Sequence, residues 1–337
     1  MFNISVICPI YNEERYIKSF IESVICQDYI NGKIEIFLID GLSSDNTRSI
    51  ICQYLLTNPT IHLVDNVNKT VSHALNIGVN LAKGDYIIRL DAHTEIPNNY
   101  FTELIYYAEK LGSDNIGGVI NSIPANSTLM CKAIAIAMSS EFGVGNSYFR
   151  VGSEKVMIVD TVPFGCFRRE IFKRTGLFDV NLIRNQDDEF NARIIKLGMK
   201  IFLIPKIKIN YYVRETIGKT AKMFYQYGLF KPLVIKKIGF PISYRQFIPL
   251  FFVSFLFFGP LFYFSSNFLF NIYLIVIIIY FIISFYFSFI LALKEKNFKM
   301  LFTLQYVFFI IHLNYGIGYI MGIYYFIILR KNKLKIT

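Results

Sequence analysis

The sequence predicts an α/β fold with a mostly parallel central sheet, followed by C-terminal transmembrane helices. Two patterns predict it. Across residues 2–90, short β-rich apolar runs alternate with amphipathic helical stretches through short loops, and such alternation requires parallel strands covered by helices on both faces. From Phe247 onward charges nearly vanish over long runs of Phe, Ile, Leu, Val and Tyr, the composition of segments solvated by lipid.

Taken in order, residues 2–10 read as a buried strand closed by Pro9. Asn12 is placed to cap the next helix, whose apolar residues Ile17, Phe20, Ile21, Val24 and Ile25 recur at helical spacing. Residues 34–39 form a second strand ending at Asp40. A Gly/Ser/Asp loop over 41–46 leads into a helix carrying Ile50, Ile51, Tyr54 and Leu55. Residues 61–64 are a third strand, 71–82 a helix, and 86–90 a fourth strand ending at Asp91. Residues 100–111 read as a helix and 112–160 show no clear period. The α/β pattern resumes over 160–215, with a helix at 190–197 and a strand at 199–204. In open sheets of this kind ligands bind beyond the carboxyl ends of the strands. Tyr11-Asn12-Glu13, Asp40 and Asp91 all fall at such ends, which is the first physical reason to place them in one site.

The chain is 54% hydrophobic and 17% aromatic, lacks Trp, and carries a net charge of +11. A basic chain with long apolar spans fits anionic lipid headgroups better than nucleic acid, and no nucleic-acid-binding motif is present. Membrane lipids are therefore expected partners and nucleic acid is not. Segment 216–245 interleaves Lys219, Lys222, Lys231, Lys236, Lys237 and Arg245 with Phe224, Tyr225, Tyr227, Phe230 and Phe240. This suits a stretch lying among headgroups, with an ordinary solvated helix as the plainer alternative. Residues 247–265, 268–293 and 301–329 are each long enough to cross a bilayer. With residues 1–245 inside, two crossings return Lys294-Glu295-Lys296 to the cytoplasm. A third puts Arg330, Lys331, Lys333 and Lys335 outside, against the positive-inside bias, so the number of crossings stays open.

The expected organisation is an α/β domain over 1–215, an interfacial segment over 216–245, and a membrane domain over 246–337 with about three hydrophobic helices. Met1-Phe2-Asn3-Ile4 leads into a strand without the features of a signal peptide, so the first domain is expected in the cytoplasm. Cys8, Cys26, Cys52, Cys131 and Cys166 lack metal-binding spacing and read as small buried hydrophobes in a reducing compartment.

Asp91-Ala92-His93 sets a carboxylate and an imidazole just past a strand. Together they can share one divalent ion, Mn²⁺ or Mg²⁺, bridging a diphosphate, and the ion would neutralise charge on a leaving nucleotide. Polar loop residues are the plainer reading of the same triplet. Asp40 suits the imide N–H of a uracil, a ribose, or capping of the 43–47 turn. Tyr11 suits stacking on a base. Asn185-Gln186-Asp187-Asp188-Glu189 places three acids at a helix start, where the dipole favours them in any case. One could also take the proton of an attacking hydroxyl. His312 reads as a packing or pore-facing polar group within an apolar segment.

The runs Ser5-Val6-Ile7-Cys8-Pro9-Ile10-Tyr11-Asn12-Glu13-Glu14, Leu38-Ile39-Asp40-Gly41-Leu42-Ser43-Ser44-Asp45-Asn46-Thr47, Ala74-Leu75-Asn76-Ile77-Gly78, Gly84-Asp85-Tyr86-Ile87-Ile88-Arg89-Leu90-Asp91-Ala92-His93 and Phe164-Gly165-Cys166-Phe167-Arg168-Arg169-Glu170, with Asn185-Gln186-Asp187 after them, resemble family 2 glycosyltransferases of the GT-A (nucleotide-diphospho-sugar transferase) fold. The resemblance spans residues 2–235. The Asp-Ala-His form and the apolar C-terminal segments look most like the subgroup that builds succinoglycan and similar exopolysaccharides. It implies that Pro9, Tyr11, Glu13, Asp40 and Asp91 line the nucleotide-sugar pocket, that Asp91 and His93 hold the metal and diphosphate, and that Asp187 is the catalytic base.

Three departures matter. His93 stands where the family has a second Asp, Gln186 stands where it has Glu, and the Gln-x-x-Arg-Trp motif of processive synthases is ruled out by the absence of Trp. The expected activity is inverting transfer of one sugar, from a UDP-sugar first of all, to a polyprenyl-linked or saccharide acceptor at the cytoplasmic face of the inner membrane. A polyprenyl-phosphate sugar synthase and a non-catalytic membrane binding module are the rival expectations. The first would need no strong base, and the second has no reason to keep Asp40, Asp91 and Asp187 together.

Overall fold

The first strand, β1 (Ile4–Ile10), is apolar but for Ser5 and almost wholly buried, in mid-sheet between its neighbouring strands. The structure is a computed structural model and describes residues 1–332 and 334. Lys333 and Lys335 lie outside the described residues. The elements that follow are α1 (Ile17–Ile25), β2 (Ile34–Asp40), α2 (Thr47–Leu55), β3 (Ile61–Asp65), α3 (Val71–Leu81), β4 (Tyr86–Arg89), β5 (Thr94–Glu95), α4 (Tyr100–Leu111) and β6 (Asn115–Ile123). Then come α5 (Leu129–Ala137), α6 (Glu141–Val144), α7 (Tyr148–Val151), β7 (Met157–Ile158), β8 (Cys166–Arg168), α8 (Ile171–Thr175), α9 (Gln186–Lys196) and β9 (Ile201–Tyr212). The last helices are α10 (Ile217–Ile238), α11 (Ile248–Phe258), α12 (Asn267–Lys294) and α13 (Lys299–Gly322).

Contacts divide the chain into two units, one of Met1–Asn121 with Gly152–Tyr211, the other of Ser122–Val151 with the chain from Tyr212 onward. The first contains the sheet, in the order β3-β2-β1-β4-β8-β6-β9-β5, with β7 on β9. β3, β2, β1 and β4 run parallel, so the carboxyl ends of β1, β2 and β4 share one edge. Beyond β4 the sheet turns antiparallel through β8 and β6. Ile17, Phe20, Ile21 and Val24 of α1 are buried as their spacing predicts, each burial favouring the fold by about 1.5–3 kcal/mol. α3 packs on β1 through Gly78, where a Cβ would lie 2.7 Å from Ile7 Cγ2.

Two local expectations are corrected. Asn12 does not cap α1. It adopts a left-handed φ of 54° and its Oδ1 accepts from Ser44 N at 2.8 Å, while Glu13 O receives the N–H groups of Tyr16 and Ile17 that open the helix. The cysteines divide as well: Cys8, Cys131 and Cys166 are buried, but Cys26 and Cys52 are exposed.

In the second unit, residues 122–151 cluster with the C-terminal helices. His312 Nε2 meets Phe142 O at 2.8 Å, and a Cβ on Gly143 would lie 3.2 Å from the Phe308 ring. α10, the basic aromatic segment, buries Phe224, Leu229, Phe230, Leu233 and Val234. It meets α13 backbone to backbone: a Cβ on Gly228 would fall 2.0 Å from Tyr315 O, and one on Gly318 2.1 Å from Tyr225 O. Small residues at such crossings let helices approach closely. Among the described residues, three segments, Tyr244–Phe264, Asn267–Lys294 and Lys299–Ile328, are long and apolar enough to cross a membrane. The first is α-helical only over α11 and becomes 3₁₀ from Gly259, where Pro260 cannot donate to the helix ladder.

Candidate functional site

The carboxyl edge of β1, β2 and β4 carries the residues singled out from the sequence. Loops after β1 and β2 are stitched together: Asn12 N donates to Ser43 Oγ at 2.9 Å, Glu13 N to Thr47 Oγ1 at 2.8 Å, and Asn46 N to Glu14 Oε2 at 3.0 Å. This fixes where Tyr11 and Glu13 stand. Tyr11 is 51% exposed, and its Cδ2 lies 3.2 Å from where a Cβ on Gly41 would be. Its ring is a free aromatic surface beside the strand ends. Pro9 sits inside β1, opposite Ile39 in register.

Asp40 is fully buried at the end of β2. Its carboxylate accepts from Ser43 N and Ser43 Oγ, and from Arg48 Nη1 at 2.6 Å. Arg48 also pairs with Asp65 at 2.7 Å. The turn-capping arrangement is thus formed, with Asp40 holding the shape of the 41–47 loop.

The sharpest feature centres on Arg89, the last residue of β4. Its backbone N donates to Gly165 O at 3.0 Å, and its guanidinium reaches two carboxylates. Nη2 donates to Asp91 Oδ1 and Nη1 to Asp187 Oδ2, each at 2.8 Å. The guanidinium also lies over the Phe164 ring, 5.6 Å from its centroid. Asp187 comes from the first turn of α9, which starts after Asn185 in a left-handed conformation with φ of 60°. A third of the Asp187 side chain reaches solvent, yet Oδ1 is covered and has no hydrogen-bond partner. Burial raises the pKa of Asp187 against the pull of the Arg89 guanidinium, and Asp91 and Asp188 add to the rise. Beneath the edge, burial pushes the Cys8 thiol up, with Asp91 and Glu13 adding to it, so that sulfur stays protonated.

His93 lies two residues beyond Asp91, in a turn where Thr94 Oγ1 donates to Asp91 O at 2.7 Å. Its Nδ1 is 3.1 Å from Glu13 Oε1, and Tyr211 packs edge-on against its ring with centroids 5.0 Å apart. With Nδ1 protonated toward Glu13, the lone pair falls on Nε2, which is buried and has no partner. An imidazole that donates one nitrogen to a carboxylate and keeps the other free is the usual form of a metal ligand. Among the described residues no three His, Cys, Asp or Glu side chains gather as a complete cage. An ion held by Asp91 and His93 would therefore take its remaining donors from a bound ligand.

The structure thus brings Asp91, Asp187, His93 and Glu13 into one constellation, with Tyr11, Pro9 and Asp40 along the same edge. Sequence reasoning missed Arg89. Its signal was a permanent cation at the end of Tyr86-Ile87-Ile88-Arg89, an otherwise apolar strand, where a charge needs a partner.

Residues 5–176 match the family described as Glycosyl transferase family 2. The chain belongs to that family. It is a glycosyltransferase, and its mixed sheet is the GT-A fold. A relative from Methanococcus voltae, named dolichyl N-acetyl-alpha-D-glucosaminyl phosphate 3-beta-D-2,3-diacetamido-2,3-dideoxy-beta-D-glucuronosyltransferase, is 30% identical over 247 residues, covering 71% of this chain and 76% of that one. Succinoglycan biosynthesis protein ExoA of Rhizobium meliloti is 31% identical over 225 residues, 66% of each chain. Among solved structures, a mannosyltransferase from Pyrobaculum calidifontis in complex with GDP-Man and Mn²⁺ matches this glycosyltransferase with a TM-score of 0.62 at 16% identity, covering 95% of this chain and 87% of that one. Staphylococcus aureus TarS matches with a TM-score of 0.52 at 16% identity, covering 78% of this chain and 72% of that one. At such identities the likeness is one of fold.

Proposed function

We propose that this glycosyltransferase moves one sugar from a nucleotide sugar, a UDP-sugar first of all, to a hydroxyl of a polyprenyl-linked or saccharide acceptor, inverting the anomeric centre. In this reading the enzyme works at the cytoplasmic face of the inner membrane, to which the apolar C-terminal segments would anchor it. The observation that carries the reading is Asp187: one carboxylate with an unpartnered oxygen and a raised pKa, tied through Arg89 to the Asp91 of the Asp-Ala-His triplet.

The acceptor hydroxyl delivers its proton to the Asp187 carboxylate as its oxygen attacks the anomeric carbon. The bond from that carbon to the nucleoside diphosphate breaks on the opposite side, and its electron pair leaves with the diphosphate. A base whose pKa lies above the ordinary carboxylate range takes a hydroxyl proton more readily. This favours a hydroxyl over a polyprenyl phosphate, whose anionic oxygen needs no base. Tyr11 offers the nucleobase a stacking surface, and Pro9, Glu13 and Asp40 form or support the surrounding nucleotide pocket. Asp91 and His93 would hold a divalent ion, Mn²⁺ or Mg²⁺, which when bound supplies a Lewis acid for the diphosphate charge. A relative named for a dolichyl-linked phosphate supports a lipid-linked acceptor, and one named for succinoglycan biosynthesis supports a role in surface polysaccharide.

The test is a donor screen: membranes containing the enzyme, radiolabelled nucleotide sugars, with and without Mn²⁺. Label should enter a lipid-extractable fraction from one donor. Folded enzyme that transfers label from none of them would overturn the proposal.

A further inference from the structure

We propose that Arg89 is the positioning residue of the base: it pins Asp187 Oδ2 and so fixes the orientation of the carboxylate and its place relative to Asp91. The inference rests on the reading of Asp187 as the base. Three features carry it. Arg89 is held rigidly, at the last residue of an interior strand, with its side chain 10% exposed and its guanidinium over Phe164. It is the side chain that hydrogen-bonds each of the two carboxylates among the described residues. And Asp187 is not needed as a helix cap, since Asp188 and Glu189 share the first turn of α9.

The chemistry requires such a device. Carboxylate torsions are broad, so an Asp at a helix start, a third exposed, samples several orientations. Proton transfer needs one oxygen within hydrogen-bond reach of the hydroxyl. A guanidinium supplies two donors in a fixed fork and stays charged throughout. It can therefore hold Asp187 by one arm and Asp91 by the other, which sets the distance between the group that receives the proton and the group beside the departing diphosphate. A lysine ammonium has three donors but no fixed fork, so it holds two carboxylates in a less defined geometry.

The experiment compares wild type, Arg89→Met, Arg89→Lys and Asp187→Asn as full-length protein in membranes, using the labelled nucleotide sugar that wild type transfers. It measures kcat and KM for the donor, and the binding of UDP and of GDP with Mn²⁺. Arg89→Met should lower kcat about 100-fold, on the order of the loss of a well-placed general base, while nucleotide affinity stays within about threefold. Arg89→Lys should regain about tenfold of that loss. Turnover near wild type in Arg89→Met, or a loss that appears wholly in nucleotide affinity, overturns the inference. Should Arg89→Met fail to fold, Arg89→Lys decides: about tenfold lower kcat with intact affinity supports positioning, and wild-type kcat overturns it. Asp187→Asn separates the two readings. If it retains turnover, the base assignment itself has failed; if it is inactive while Arg89→Met is not, only the role of Arg89 has.

Discussion

Arg89 and Asp187 stand 98 residues apart in the chain and meet in a 2.8 Å ion pair at the carboxyl edge of the sheet. The same guanidinium holds Asp91 at 2.8 Å, so one side chain joins the end of a parallel strand to the start of a late helix. In the proposed mechanism these two places serve the departing diphosphate and the incoming hydroxyl.

A single carboxylate base implies a single displacement. The glycosidic bond in the product should have the anomeric configuration opposite to that of the donor, as read by NMR coupling at the anomeric proton. A retained configuration would contradict the single displacement.

The raised pKa of Asp187 sets a pH dependence. The base works only when deprotonated, so kcat should fall as pH drops through a pKa above the ordinary carboxylate value of about 4. The Arg89 guanidinium opposes the rise, so Arg89→Met should move the acid limb to still higher pH. A kcat that stays flat down to about pH 4 would contradict the assignment.

Glu13 and His93 predict a metal effect that does not depend on turnover. Glu13→Gln leaves the imidazole without its carboxylate, and Mn²⁺ affinity in the presence of a nucleoside diphosphate should fall about 10- to 100-fold by electron paramagnetic resonance titration. His93→Ala should fall at least as far. Unchanged Mn²⁺ binding in both variants would remove His93 from the ion.

The α10–α13 contact depends on the absence of side chains. A Cβ on Gly318 would lie 2.1 Å from Tyr225 O, and one on Gly322 2.3 Å from Leu229 O. Gly318→Leu should therefore force the helices apart and lower stability by about 1–3 kcal/mol or more, seen as a lower unfolding temperature in detergent. No change would mean that this crossing does not form as described.

Much of the first unit was legible in the sequence because its strands are buried on both faces and its helices on one. The periods in 4–10, 17–25, 34–40 and 71–81 follow from that geometry. Residues 112–160 carry little periodic signal. β6 carries Gly117 and Gly118, which lack β propensity but let Val162 and Ile207 press against the strand. α5 is buried at Cys131, Ala133, Ile134, Ala135 and Ala137, so no polar face marks its period. β9 runs on to Tyr212 through Pro205, a residue that ordinarily argues against a strand interior. Asp91, His93 and Asp187 could be nominated as polar residues at element ends. The guanidinium that joins them could not, because its second partner lies far along the chain.

The most direct measurement is transfer by Asp187→Asn beside nucleotide binding by the same protein. The amide keeps the size of the side chain and removes the base. Turnover should fall by at least about 100-fold, while UDP or GDP binds with Mn²⁺ as in the wild type. Turnover within a few-fold of wild type would contradict Asp187 as the base, and with it the hydroxyl-attack mechanism.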